Sequence, residues 1–196
     1  MYNLILASKS PYRKQLLSRL GISFDCIDSN YDESTLKLEI NDPTILTQKL
    51  ALNKALEVKK KYSDSIIIGS DQVCHFNNKV LGKAGNIVGA KEQLLSLQGQ
   101  FHELVTSYVI IHQDQIIEHT NITKLKMRNL TEEQIKNYLI LDNPIDCAGS
   151  YKLELNGISL MEDIQTSDHT AIIGLPLISL ANDLNKIGVQ VPPISK

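Results

Sequence analysis

Ser8, Ser10 and Arg13 sit where an apolar run, Leu4 to Ala7, gives way to a stretch that opens Ser10-Pro11. That arrangement suits an anion. A helix N-terminus presents unpaired N–H groups and partial positive charge. Hydroxyls add donors, and an arginine fork takes phosphate oxygens in pairs. The same residues would serve equally as a plain helix cap beside a solvated Arg13. The glycines of a nucleotide-binding P-loop are missing. A second set is Gly69-Ser70-Asp71-Gln72, which the pattern places at the carboxyl end of a strand over 65–70. Ligand sites in α/β sheets gather outside such ends. An acid there can hold a divalent cation or activate water, or it can simply form a turn. Asp32-Glu33 in a polar loop, Lys54 in a helical stretch and Lys83 after Leu81-Gly82 add an acidic pair and two cations. A metal–triphosphate needs that complement, although each residue alone reads as surface. Cys147-Ala148-Gly149-Ser150-Tyr151-Lys152-Leu153-Glu154 combines small residues, which permit close backbone approach, with an acid that could face the same turn. Gly174-Leu175-Pro176-Leu177 reads as a turn into a last helix.

The elements that must carry these residues follow from periodicity and punctuation. Residues 2–7 read as a buried strand. Ser10 as N-cap, Pro11 at the first helical position and Gly21 as stop predict a helix with Leu16, Leu17 and Leu20 inward. A strand is expected at 22–27, irregular chain at 28–42, and a helix from Pro43 to Tyr62 with Leu46, Leu50 and Ala51 buried. Lys59, Lys60 and Lys61 near its end suit the helix dipole. Asn86 to Leu97 reads as a helix ended by Gly99. FHELVTSYVIIH and QIIEHTNITKLKM alternate about His112–Asp114 and predict a long hairpin. A helix over Leu130–Leu141 has Thr131 as N-cap. Short strands and glycine turns fill Asp146 to Ile164, a helix covers 176–188, and VPPISK is a tail. Strands alternating with helices, plus one antiparallel hairpin, predict a mixed α/β sheet flanked by helices.

The 196 residues match one domain, or two small halves that share a core or face each other across a cleft. Hydrophobic residues at 42% and charged residues at 21% describe a globular chain with a real core. Net charge is −2, from 20 basic and 22 acidic residues, which argues against binding long nucleic acid. Of the basic residues only Arg13, Arg19 and Arg128 are arginines. Three widely spaced cysteines, Cys26, Cys74 and Cys147, show no C-x-x-C and no zinc spacing, and read as reduced, mostly buried thiols. The N-terminal apolar run is too short for a signal peptide, and no stretch is long enough to span a membrane. A soluble cytoplasmic protein is expected.

Taken together, LILASKSPYR, GSDQV, LGK, Gly99-His102-Thr106, DCAGSY and GLPL resemble, in order and spacing, the Maf family of nucleoside triphosphate pyrophosphatases. The resemblance spans nearly the whole chain. It implies a Maf/HAM1-like (ITPase-like) α/β fold, a single Maf-like domain over 1–196 with two lobes around a central cleft. It also implies hydrolysis of a small nucleotide to the monophosphate and pyrophosphate, with a divalent cation, Mg²⁺ or Mn²⁺. By the same resemblance Asp71 is the catalytic acid that takes a proton from water. Ser8, Ser10 and Arg13 bind phosphate, Lys54 and Lys83 surround the phosphates, and Glu33 with Asp71 holds the metal. Tyr12, Gln72 and Glu154 match the branch that acts on 7-methyl-GTP. The charged N7-methylated ring suits the face of Tyr12, and a carboxylate such as Glu154 suits the guanine N1–H and N2 amino edge. The other readings are the dTTP/UTP branch and a non-catalytic nucleotide-binding regulator of cell division. The hairpin could also support a homodimer. The sequence departs from the family pattern at Ala84 in place of proline, at Leu155 in place of glycine, and at Thr166-Ser167-Asp168 in place of Gly-Asp.

Overall fold

The computed structural model describes residues 3–194 and shows a mixed α/β fold, an open sheet flanked by helices. Tyr2 of the first expected strand, and Ser195 and Lys196 of the tail, lie outside the described residues. Strand neighbours run β2-β1-β3-β5-β6-β7, with β4 on β3. The chain divides into two compact units. The first holds residues up to Asp71, then Thr106–Asn121 and the chain from Asp168; the second holds Gln72–Val105 and Ile122–Ser167.

In the first unit β1 (Leu4–Leu6) pairs in parallel with β2 (Asp25–Cys26) on one side and with β3 (Ile66–Phe76) on the other. Successive side chains of a strand leave opposite faces, so each strand feeds two cores. Leu4, Leu6, Ile66, Ile68, Tyr108 and Ile110 pack with Leu16 and Leu17 of α1 (Pro11–Ser18) and with Leu180 and Leu184 of α7 (Leu177–Lys186). Ile5, Ala7, Ile67, Val109 and Ile111 pack under Ala51, Ala55 and Val58 of α3 (Pro43–Lys59). The cap expected at Ser10 is present, its Oγ accepting from Arg13 N. The structure adds one at Asp42, whose Oδ1 accepts from Thr44 N and Ile45 N at 2.9 Å each. Between them α2 (Ser34–Glu39) forms where irregular chain is expected. It buries no residue, so it has no apolar face for periodicity to reveal. The expected strand at 22–27 shrinks to its two paired residues.

In the second unit the last residues of β3 pair antiparallel with β4 (Lys79–Leu81) across Asn77 and Asn78. Both asparagines have positive φ, the geometry that tight hairpin turns demand. The strand therefore runs to Phe76 instead of ending at Ser70, and Asp71 lies in the middle of an 11-residue strand, not at a carboxyl end. The expected long hairpin is present as β5 (Phe101–His112) and β6 (Gln115–Met127), turning at Gln113-Asp114. It starts in the second unit, turns in the first and returns. β7 (Met161–Gln165) pairs antiparallel with β6. Two helices, α4 (Ile87–Leu97) and α5 (Glu132–Asp142), complete this unit, and Thr131 closes a capping box on α5 with Gln134. A short 3₁₀ turn, Asn156–Leu160, precedes β7, and α6 (Thr170–Ile173) precedes α7. No helix among the described residues is long and apolar enough to cross a membrane. Of the thiols only Cys74 is buried, where desolvation pushes it up to about 12; Cys26 is exposed and Cys147 half-buried, so the expectation of mostly buried thiols is corrected.

Gly69 marks a close approach of helix to strand in the first unit. A Cβ placed there would stand 2.1 Å from the Ala51 carbonyl oxygen and 2.9 Å from Ala55 Cβ. Helix α3 thus lies directly on the backbone of β3. Because the obstacle is backbone, the helix would have to move. Gly69→Ala should therefore cost about 1–3 kcal/mol or more in urea unfolding, the range for an overpacked core. Unchanged stability would mean that α3 does not rest on this glycine.

Candidate active site

The consequence of that packing is an ion cluster. Ala51, Lys54, Ala55 and Val58 share one face of α3, the face laid on β3. Gly69 and Asp71, two apart on β3, share the strand face that meets it. Lys54 Nζ therefore reaches Asp71 Oδ1 at 2.6 Å, with both side chains nearly buried. The same ammonium meets Glu33 Oε1 at 2.5 Å. Glu33 stands at the start of α2 and is also paired with Lys37 one turn later. Sequence spacing could not show that residues 33, 54 and 71 converge. Burial alone would raise the Glu33 carboxyl, but Lys54 and Lys37 outweigh it and hold it at about 2.

Arg13 approaches from the other face. It projects from α1, and its Nε donates to the Gly174 carbonyl at 3.0 Å. Burial pulls its guanidinium below the ordinary value, while the charges of Asp71 and Glu33 pull it back up. Both carboxylates are thus close enough to feel it. Ser70, between Gly69 and Asp71, points to the α1 side. Its hydroxyl lies 2.9 Å from the Ser107 carbonyl and 3.2 Å from that of Gly174. The lysine–carboxylate cluster and the arginine therefore meet across one peptide, Ser70–Asp71.

Ser8 and Ser10 stand at the start of α1. Ser8 Oγ accepts from Ser10 N at 3.1 Å, and Ser10 Oγ accepts from Arg13 N at 3.4 Å. Each hydroxyl accepts a backbone proton and keeps its own to donate. The capping role and the anion-binding role foreseen for this motif are therefore compatible. Tyr12, half-buried, follows Pro11 in the same helix.

The remaining expected residues belong to the second unit. Gln72 opens it as the residue after Asp71. Lys83 is exposed and forms an isolated antiparallel bridge with Ala148, so the LGK and DCAGSY segments lie side by side. Glu154 is exposed in the turn before the 3₁₀ segment. Gln93 of α4 was not singled out in the sequence. It donates to the Gly82 carbonyl at 3.1 Å and accepts from Ser150 Oγ at 2.7 Å, tying the two segments together. A lone glutamine in a helix gives no sequence signal of such a role. Gly69 did give one, a glycine inside an apolar strand, which marks close backbone approach.

Glu33 and Asp71 are the residues that could hold a metal. Their carboxylates already converge on one cation, the Lys54 ammonium. Among the described residues no group of three or more His, Cys, Asp or Glu is placed to hold a metal ion. That donor set suits Mg²⁺, which is commonly held by one or two carboxylates and completes its shell with phosphate oxygens and water.

A family model described as "Maf-like protein" matches residues 3–187. A 7-methyl-GTP pyrophosphatase of Bdellovibrio bacteriovorus is 45% identical over 181 residues, 92% of this chain and 95% of its own. One from Syntrophotalea carbinolica is 40% identical over 191 residues, 96% of each chain. Among solved structures, a HAM1 protein from Coxiella burnetii aligns over 65% of this chain and 73% of its own, with 11% identity and a TM-score of 0.46.

The Glu33 carboxyl gives the cluster a pH signature. Its folded value lies below its unfolded one, so its contribution to stability is complete above about 4.5 and is lost as the pH falls toward about 2. The stability gap between the wild type and Glu33→Gln, measured by urea unfolding, should therefore narrow steadily from pH 5 to pH 2.5. A constant gap would show that the ion pairs do not hold Glu33 ionised.

Proposed function

The chain belongs to the Maf family, and from that membership we propose that it hydrolyses 7-methyl-GTP to the monophosphate and pyrophosphate, as a house-cleaning enzyme of the nucleotide pool. The observation that carries the reading is the Lys54 ammonium bridging Glu33 and Asp71, with Arg13 close by and two serine hydroxyls at the start of α1. The names of the relatives support the substrate. Reduced thiols and a nucleotide substrate fit the cytoplasm.

In the proposed reaction Arg13, Ser8, Ser10 and the N–H groups of the first turn of α1 bind the triphosphate, and Lys83 adds a further cation. Lys54 holds Asp71 Oδ1, which leaves Oδ2 for the attacking water. Water oxygen bonds to the α-phosphorus, its proton passes to Asp71, and the bond from the α-phosphorus to the bridging oxygen breaks. Pyrophosphate departs with that bonding pair. A divalent cation held by Glu33 and Asp71 would neutralise phosphate charge and polarise the phosphoryl oxygens. The protein's share is positioning and charge stabilisation. Tyr12 offers an aromatic face to the cationic methylated ring, worth about 0.5–2 kcal/mol, and Glu154 a carboxylate to the guanine edge. Uracil and thymine offer only one ring N–H on that edge. Gln72 is the third position that marks this branch.

A panel of 7-methyl-GTP, GTP, dTTP and UTP, with pyrophosphate release followed with and without Mg²⁺ or Mn²⁺, tests the activity. Metal-dependent release, fastest from 7-methyl-GTP, is expected. Fastest release from UTP or dTTP would move the protein to the other branch. Binding without release would make it a regulator. Asp71→Asn should lower turnover at least ~10²-fold, and a variant retaining full activity would require another base. Glu154→Gln should shrink the preference for 7-methyl-GTP over UTP, and unchanged selectivity would remove Glu154 from the base site.

A further inference from the structure

Asp168 is nearly buried and stands outside the cluster just described, yet its side chain organises the turn that meets Arg13. One oxygen, Oδ1, accepts from Thr170 N at 2.9 Å and from Thr170 Oγ1 at 2.6 Å. The other, Oδ2, accepts from Ile178 N at 2.8 Å. Thr170 Oγ1 in turn accepts from Leu177 N at 2.8 Å. One carboxylate thus pins the entry to α6 and the first turn of α7, and the Gly-Leu-Pro-Leu segment is stretched between these anchors. Thr106 Oγ1 secures the same segment by donating to the Ala171 carbonyl at 2.9 Å.

Gly174 ends α6 with φ of +122°, a conformation that glycine takes without strain and other residues rarely adopt. Its carbonyl accepts from Arg13 Nε and lies within reach of Ser70 Oγ. A bond at Nε does more than hold the chain. The guanidinium is planar, so fixing Nε fixes the plane and leaves the two terminal NH₂ groups out of that bond, as a fork for phosphate oxygens. A lysine has the charge but nothing equivalent to Nε.

We propose that Asp168 is a positioning residue for the phosphate site. By pinning both ends of the 170–178 segment it aims the Gly174 carbonyl, and that carbonyl orients Arg13. This rests on the reading that Arg13 binds phosphate. Asp168→Asn is nearly isosteric, but it brings an amide NH₂ or a weaker acceptor against backbone donors.

The test is a double-mutant cycle between Asp168→Asn and Arg13→Lys. It is read as affinity for inorganic tripolyphosphate by calorimetry, and as kcat and KM for 7-methyl-GTP. Each single change should weaken tripolyphosphate binding about tenfold and raise KM more than it lowers kcat, as expected of displaced positioning groups. The double variant should be no worse than Arg13→Lys within about twofold, because with Nε gone the aimed carbonyl has nothing to orient. Asp168→Asn binding at wild-type affinity, or losses that multiply in the double variant, would overturn the proposal. Thr170→Val, which removes the hydroxyl bonds to Asp168 and Leu177, takes the place of Asp168→Asn if that variant does not fold, and is judged in the same way. A wild type that does not bind tripolyphosphate also overturns it. A wild type that binds tripolyphosphate but hydrolyses no nucleotide would instead defeat the proposed activity, and the cycle would still be decided by binding.

Discussion

The contact of α3 with β3 at Gly69 governs the site. Ala51 and Ala55 are small enough, and position 69 bare enough, for helix and strand to meet backbone to backbone. Lys54 lies among these residues on the same helical face, so its ammonium is delivered into a buried setting two residues along the strand. Burying an ammonium is costly unless it is paired. Asp71 and Glu33 supply the pairing. The cluster is thus a result of packing as much as of chemistry. A larger residue at 51, 55 or 69 would lift the helix and leave a lysine and two acids to find water instead of each other.

The charge arithmetic takes on a different meaning from this geometry. A net charge of −2, taken alone, argues against a long polyanion as partner. It is no obstacle to a single triphosphate, because the relevant charges are local. Glu33 and Asp71 are balanced by Lys54, with Lys37 and Arg13 close enough to act on Glu33. Within this cluster Lys54 and Lys37 keep the Glu33 carboxyl ionised despite its partial burial. Electrostatic groups fixed in this way need no rearrangement when charge moves during a reaction.

Much of the fold was legible because local rules governed it. The caps at Ser10 and Thr131 and the alternation of the long hairpin are short-range signals, and each appears where expected. Other features escaped for physical reasons. Helix α2 buries nothing and so carries no period. The strand at 65–70 continues because Asn77-Asn78 makes the turn, whereas the polar Ser70-Asp71 pair interrupts the apolar run and reads as its end. The residue types of the site were legible, as was the link from Ser8 to Arg13. The meeting of 33, 54 and 71 was implied by the family resemblance but not by spacing, since it depends on how a helix rests on a strand. Nor was the use of Gly174, because a backbone carbonyl has no letter in the sequence.

The two units divide the candidate residues unevenly. Ser8, Ser10, Arg13, Glu33, Lys54 and Asp71 all belong to the first, as does the Asp168-pinned segment that meets Arg13. Of the positions where the chain departs from the family pattern, Ala84, Leu155, Thr166 and Ser167 belong to the second, together with Glu154 and Lys83, while Asp168 keeps an acid at the start of the first unit's last segment. The departures therefore spare the packing that assembles the ion cluster. They fall in loops and strand ends, where a changed side chain costs little stability. Ala84 lacks the φ lock of proline, but Gln93 holds the neighbouring Gly82 carbonyl and the Lys83 bridge to Ala148 is kept. Leu155 occupies an exposed turn position next to Glu154. Substitutions in these loops can therefore accumulate without disturbing the packing of α3 on β3 that pairs Lys54 with Glu33 and Asp71.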